Sequence, residues 1–286
     1  MIQAPGPDIG EIVIHHAADC YCIGIEPFFK YSWHKWPDLH LDGLTLNLTP
    51  TKHVIFLVIA ALLVFLTMWR GGRQIERRHR EGKGPTGFGG VVEGLVLWVR
   101  DDIAIANIGH DGAQFAPYIM TLFFFILYCN LLGLLPHGST PTGNIAVTGA
   151  LAVTAFLTIE ISGFLKLGPK GYLHTIFPKP PGLSGAGAAI MSVAMGPIEI
   201  LGKLVKPFAL AVRLFGNMTA GHFVILSLFG LIFLFGNLAY FNWPIGVVTA
   251  VLVMGIMVLE LIVAFLQAYV FALLTSVFIG LMQHEH

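Results

Sequence analysis

Charge-free apolar runs separated by short polar or basic stretches set the pattern of this chain. From Val54 to Trp69, VIFLVIAALLVFLTMW carries no charged residue. With its flanks it reaches the roughly 20 residues that a helix needs to cross about 30 Å of hydrocarbon. Residues 113–136, AQFAPYIMTLFFFILYCNLLGLLP, form a second span, and a third is expected from near Ile145 to near Leu165. Two longer runs follow, near residues 188–235 and 245–283. A continuous helix over the first would be roughly 70 Å long, more than twice the hydrocarbon core. It is therefore expected either to break near Pro207, whose ring removes a backbone donor, or to lie strongly tilted. With GNLAYFNWP as the outer turn, the two runs form an antiparallel hairpin. The expected fold class is all-α: a polytopic membrane protein with about five membrane helices, the last two a long, strongly tilted hairpin.

The polar stretches orient these spans. RGGRQIERRHREGKGPTGFGG places Arg70, Arg73, Arg77, Arg78, Arg80 and Lys83 directly after the first span. A basic cluster abutting a transmembrane end marks the cytoplasmic side, so residues 1–51 form an extramembrane segment on the periplasmic or outer side. That segment is expected to hold a short amphipathic helix near residues 9–30. VVEGLVLWVRDDIAIANIG is amphipathic and expected to run along the cytoplasmic interface. HGSTPTGN, without Lys or Arg, faces outward, and Lys166, Lys170 and Lys179 restore the inner basic bias. Glu160 reads as an interfacial carboxylate neighbouring Lys166, with a part in a proton path as the alternative. Three regions result: 1–51 outside, 52–187 with three transmembrane helices and basic cytoplasmic loops, and the hairpin 188–286 with the C-terminus in the cytoplasm.

Composition agrees with a membrane chain. Of 286 residues, 56% are hydrophobic and 11% charged, against about 25% charged in soluble domains, and the mean hydropathy is +0.78. The formal net charge is zero, so no nucleic acid or other polyanion is implied. MIQAPGPDIGEIVIHH has neither the basic start nor the apolar core of a signal peptide, so insertion falls to the spans themselves. Three cysteines make no disulfide framework, and Cys129 reads as a small packing residue. In HHAADCYC, His15, His16, Cys20 and Cys22 are the one candidate set for a soft metal, but a lone Cys-x-Cys is a weak signal and no metal is assigned. PPGLSGAGAAI lacks the Gly-Lys-Ser/Thr ending of a phosphate loop. No H-E-x-x-H, nucleophile triad or dinucleotide fingerprint stands in the sequence, so no catalytic residue and no cofactor are expected.

The charges inside the hairpin are the candidate chemistry. At 100° per residue Glu199, Lys203, Lys206, Arg213 and Asn217 fall within about 40° of one direction. A solvated helix face would show such a stripe, but Arg213 sits alone between long apolar runs. An arginine near the bilayer centre costs at least about 2.5 kcal/mol on insertion scales and commonly pairs with an acid or lines a wet path. Glu260 is the only Asp, Glu, Lys or Arg in residues 214–283, and Gln267 lies about 20° from it on the same face. His222 follows Arg213 by about 13.5 Å on the opposite face of an ideal helix. Glu and His exchange protons while arginine stays charged, so the set suits ion movement better than chemistry on a bound molecule.

KPFALAVRLFGNMTAGH resembles the signature of the a-subunit of the F-type ATP synthase membrane sector. FILYCNLLGLLP, TPTGNIAVTGALA and ELIVAFLQAYVFALLTSVFIG follow the family's order, and the resemblance spans about residues 40–283. It implies a stator subunit beside a rotating c-subunit ring, partnered by the b-subunit peripheral stalk and the rest of the synthase in a bacterial plasma membrane. Two offset half-channels would carry protons to and from a ring carboxylate, coupling translocation to rotation and ATP synthesis, with no catalysis by this chain alone. Residue by residue, Arg213 matches the arginine that separates the half-channels and strips the carboxylate of its proton. His222 and Glu260 match the interacting pair of the outer half-channel, Asn217 and Gln267 match polar positions near the arginine, and Glu199 matches an acid of the cytoplasmic exit. Gly133 stands where some members carry an aspartate at the outer mouth, which leaves Asn130 and His137 as candidates for its lining. Two alternatives stay open: a proton-coupled secondary transporter, disfavoured by the lack of a repeat, and a static scaffold whose buried charges merely pair.

Overall fold

The computed structural model describes residues 22–25, 29–32, 34, 39–41, 44–46, 49–82, 84, 86–135, 138–177, 186–235 and 242–284. Two short antiparallel hairpins lead the described chain: β1 (Cys22–Ile25) pairs with β2 (Phe29–Ser32), and β3 (Leu39–Leu41) with β4 (Leu44–Leu46). The amphipathic helix expected near residues 9–30 is thus overturned from residue 22 onward. Ile23, Ile25, Phe29 and Tyr31 recur at period two, and Pro27 would interrupt any helix through them. Residues 9–21, with His15, His16 and Cys20, lie outside the described residues, as does the Cys22 side chain.

Helices carry everything else of membrane length: α1 (Lys52–Arg80), α2 (Phe88–Trp98), α3 (Gly112–Leu134), α4 (Ile145–Ile176), α5 (Ala186–Phe235) and α6 (Asn242–His284). After α2 the chain passes through a wide π-helical turn, Val99–Ile105, and a final turn, Ala106–Ile108. Among the described residues, five helices contain stretches long and apolar enough to cross a membrane: Lys52–Arg80, Gly112–Leu134, Ile145–Ile176, Ile190–Leu228 and Gly246–Gln283. They leave large apolar side chains such as Val58, Leu62, Phe65, Ile198 and Phe208 exposed, a surface that hydrocarbon accepts and water would not.

The third span ends close to the expected Leu165: α4 is regular up to Gly168, whose φ of 68° breaks the helix, and Pro169 opens a second segment that continues to Ile176. The first long run does not break at Pro207. α5 is one helix of 50 residues that contains both Pro197 and Pro207, so of the two expected solutions strong tilt is the one left for so long an apolar helix.

The chain divides into two compact units, each assembled from three stretches. One comprises residues 1–63, 127–144 and 214–266: the hairpins, the start of α1, the end of α3 with residues 138–144 after it, the later part of α5 and most of α6. Its interior mixes Leu214, Met218, Val253 and Ala264 with the buried polar groups Asn130, Thr140, Thr142 and Glu260. The other comprises residues 64–126, 145–213 and 267–286. Val99, Ile103, Ile119, Phe123, Phe271 and Ile279 fill its core. There Trp98, at the end of α2, stacks on Tyr269 at 5.5 Å and meets Phe123 edge-on at 5.9 Å, so the amphipathic segment is anchored by aromatic packing.

Candidate functional site

In the first unit α5 and α6 bring His222 and Glu260 together. The imidazole Nδ1 lies 3.8 Å from Glu260 Oε1, an ion-pair separation too long for a hydrogen bond. Glu260 is 3% exposed, and neither carboxylate oxygen has a hydrogen-bond partner among the described residues. A buried carboxyl without a donor is expensive to keep for packing alone. Gly221 makes the approach possible. A Cβ there would sit 2.9 Å from the Glu260 carboxyl carbon, so any side chain would displace the Glu260 carboxyl from this place beside His222.

A strap over residues 139–144 closes over this pair. Pro141 opens a single 3-10 turn, Pro141–Gly143, after Thr140 in an extended conformation. That geometry sends successive side chains inward. Ser139 shares a hydrogen bond with His53 Nδ1 at 3.0 Å, and Thr140 Oγ1 shares one with His222 Nε2 at 2.6 Å. Thr142 donates to Asn130 Oδ1 at 2.8 Å, and Asn130 in turn donates to the Ala264 carbonyl at 3.2 Å, tying the strap and α3 to α6. Asn130 is thereby part of the cluster, whereas His137 lies outside the described residues.

The second unit holds the other polar group. Glu199, Lys203, Lys206 and Pro207 of α5 line an open cleft with Glu160 of α4 and Phe278 and Met282 of α6. Lys203 Nζ lies 3.6 Å from Glu160 Oε2, donates to the Thr175 hydroxyl at 2.8 Å and sits over the Tyr172 ring. The Tyr172 hydroxyl also donates to Glu160. Glu160 therefore does not neighbour Lys166, which pairs instead with Asp111. Six residues turn an α-helix through about 240°, so nearness in sequence put Lys166 on the wrong face. Both members of the Lys203–Glu160 pair are nearly buried, with side chains 10% and 14% exposed. Removing one leaves the other without its counter-charge. Glu160→Ala is expected to destabilise the fold by about 3 kcal/mol, and Glu160→Ala with Lys203→Met by less. Thermal unfolding midpoints in detergent check this, and equal loss in both variants would contradict it.

Arg213 is exposed on α5 and, among the described residues, makes no ion pair or hydrogen bond. Gln267 is buried in the same unit. Asn217, in the first unit, is exposed. The stripe expected along α5 thus serves more than one purpose: Glu199, Lys203 and Lys206 face a cleft, while Arg213 is offered outward. Sequence reasoning singled out His222, Glu260 and Asn130 but not Thr140, Thr142, Ser139 or His53. Only the run of hydroxyl residues around a proline in STPT signalled that the strap could turn polar groups inward.

Comparison with known proteins follows the same residues. Residues 53–280 match the family described as ATP synthase A chain. An ATP synthase subunit a of Chloroherpeton thalassium is 42% identical over 273 residues, covering 95% of this chain and 77% of the relative. One of Chlorobaculum tepidum, subunit a 2, is 41% identical over 273 residues, covering 95% and 72%. That of Myxococcus xanthus is 43% identical over 251 residues, covering 86% and 77%. With five membrane-length apolar helices and a match that takes in α1, the strap, α5 and most of α6, this chain is an integral membrane protein belonging to the ATP synthase A chain family.

Proposed function

We propose that the chain is the stator subunit of the F-type ATP synthase proton channel, forming two offset half-channels against a c-subunit ring. The observation that carries this reading is the meeting of His222 and Glu260 in a buried polar site with unfilled acceptor capacity. A proton arriving from the outer side is taken up by this pair and handed to a carboxylate on the ring. The ring turns, and the proton leaves through a cytoplasmic path in which Glu199 lines the cleft. Arg213, exposed and always protonated, is the fixed charge that draws the returning carboxylate and blocks a direct leak between the two paths. Asn217, exposed four residues after Arg213 on α5, supplies polar surface there, and Gln267 is a buried polar side chain of the unit that holds Arg213.

On this reading the N-terminus lies outside a bacterial plasma membrane and the C-terminus in the cytoplasm, with a b-subunit peripheral stalk holding the chain against the ring's torque. Catalysis of ATP synthesis then belongs to the rest of the synthase, and this chain needs no cofactor. No observation favours the secondary-transporter reading. Copurification tests the assignment: a tagged chain expressed in its own cell should bring a small ring-forming subunit and an ATPase head with it. An isolated monomer that transports a solute would contradict the proposal.

A further inference from the structure

The strap residue that touches His222 is a threonine, and the position beneath it is a glycine. A Cβ placed on Gly133 would collide with the Thr140 hydroxyl and lie 2.7 Å from Thr140 Cβ and 3.0 Å from its methyl carbon. The Thr140 side chain, 3% exposed, thus fills the room that a side chain at position 133 would need, and from there its oxygen reaches His222 Nε2. All these residues belong to one compact unit.

We propose that Thr140 is a positioning residue for the His222–Glu260 pair, and that Gly133 supplies the space that lets it act. Resting on the channel reading above, this adds a member that the reading does not contain. Thr140 shares a hydrogen bond with Nε2, while Nδ1 faces Glu260 across 3.8 Å, beyond hydrogen-bond length. A hydroxyl both donates and accepts, and its hydrogen rotates to suit. When Nε2 of the neutral ring is bare, Thr140 donates to it. When both nitrogens carry protons, Thr140 accepts from Nε2. The same bond therefore holds the ring plane through uptake and release of a proton, keeping Nδ1 aimed at Glu260. A backbone carbonyl or an amide N–H in that place would serve only one of the two states.

The test uses ATP-driven proton pumping by the assembled synthase in membrane vesicles, with the amount of assembled complex measured in parallel. Thr140→Val is nearly the same shape without the hydroxyl and is expected to lower flux roughly tenfold, the worth of one lost hydrogen bond. Thr140→Ser, which keeps the hydroxyl, is expected to stay within about twofold of the unmodified protein. Gly133→Ala is expected to match Thr140→Val by pushing the strap away from His222. Combining the two should cost no more than the worse single change, because both act through one bond.

Unaltered flux in Thr140→Val, a serine variant as impaired as the valine one, or losses that multiply in the double variant would overturn the inference. Should Thr140→Val fail to assemble, Thr140→Ala takes its place. Failure of both alongside normal assembly of Thr140→Ser would also overturn it, by making the hydroxyl a matter of folding. Arg213→Ala is run beside them. If it pumps normally, the channel reading itself fails, whereas loss in Arg213→Ala with normal flux in Thr140→Val removes only the role given to Thr140.

Discussion

Arg213→Ala is expected to reduce ATP-driven proton pumping to background while leaving assembly of the synthase intact. The two halves of this expectation come from different observations. Arg213 is exposed on α5 and has no ion pair or hydrogen bond among the described residues, so little packing is lost with it. Substitutions at such positions usually change stability by no more than about 0.5 kcal/mol. On the proposed reading its work is with a group brought to it. A carboxylate at about 4 Å, in surroundings with an effective dielectric of about 20, gains roughly 4 kcal/mol from the guanidinium before desolvation. Losing that attraction corresponds to about three orders of magnitude in the rate of the step that depends on it. A static scaffold would show the reverse, with stability falling and flux unchanged. Arg213→Lys keeps the charge but gives up the planar fork of donors, so a flux between that of alanine and arginine is expected.

Exchanging His222 and Glu260 is the second large effect. His222→Glu alone sets two acids face to face across a 3.8 Å gap, and Glu260→His alone sets two imidazoles there. Each single change removes the acid–base complement, and each is expected to cut proton flux at least tenfold. In the double variant, His222→Glu with Glu260→His, one acid and one imidazole again share the site. It is expected to keep several-fold more flux than the worse single change, the signature of direct coupling between contacting groups. Equal loss in all three variants would separate the two residues functionally. Gly221 bears on how this is read, because it leaves the room that the side chain at position 260 occupies.

Much of the fold was legible because membrane helices announce themselves by uninterrupted apolar length, which depends on no long-range contact. The starts of α3 and α4 and the extents of α5 and α6 could be read within a few residues for that reason. Proline misled at residue 207, since α5 absorbs both of its prolines without ending. Composition misled at residues 22–30, where period-two alternation in a short stretch won over helical amphipathicity. Arg213 and Glu260 each stood out because a charge in an apolar run is costly wherever it falls. Thr140 did not stand out. Its value lies in a bond to a histidine 82 residues away, and in the space left by Gly133, neither of which has a local signature. The Lys203–Glu160 pair was hidden in the same way, because the nearer lysine in sequence sat on the wrong face of α4.

That a carboxylate on a neighbouring, moving subunit meets Arg213 can be tested by cross-linking. Ala209 lies one helical turn before Arg213, is exposed and is small, so Ala209→Cys disturbs little. The cysteine is introduced into a chain in which Cys20, Cys22 and Cys129 are replaced by serine or alanine, and a second one is placed one turn from the ring carboxylate. Oxidation of the assembled synthase is expected to give a covalent product containing both this chain and one ring subunit, and to stop ATP-driven pumping until it is reduced. Oxidation that yields no such product in fully assembled complexes, with pumping unaffected, would contradict the meeting of Arg213 with the ring.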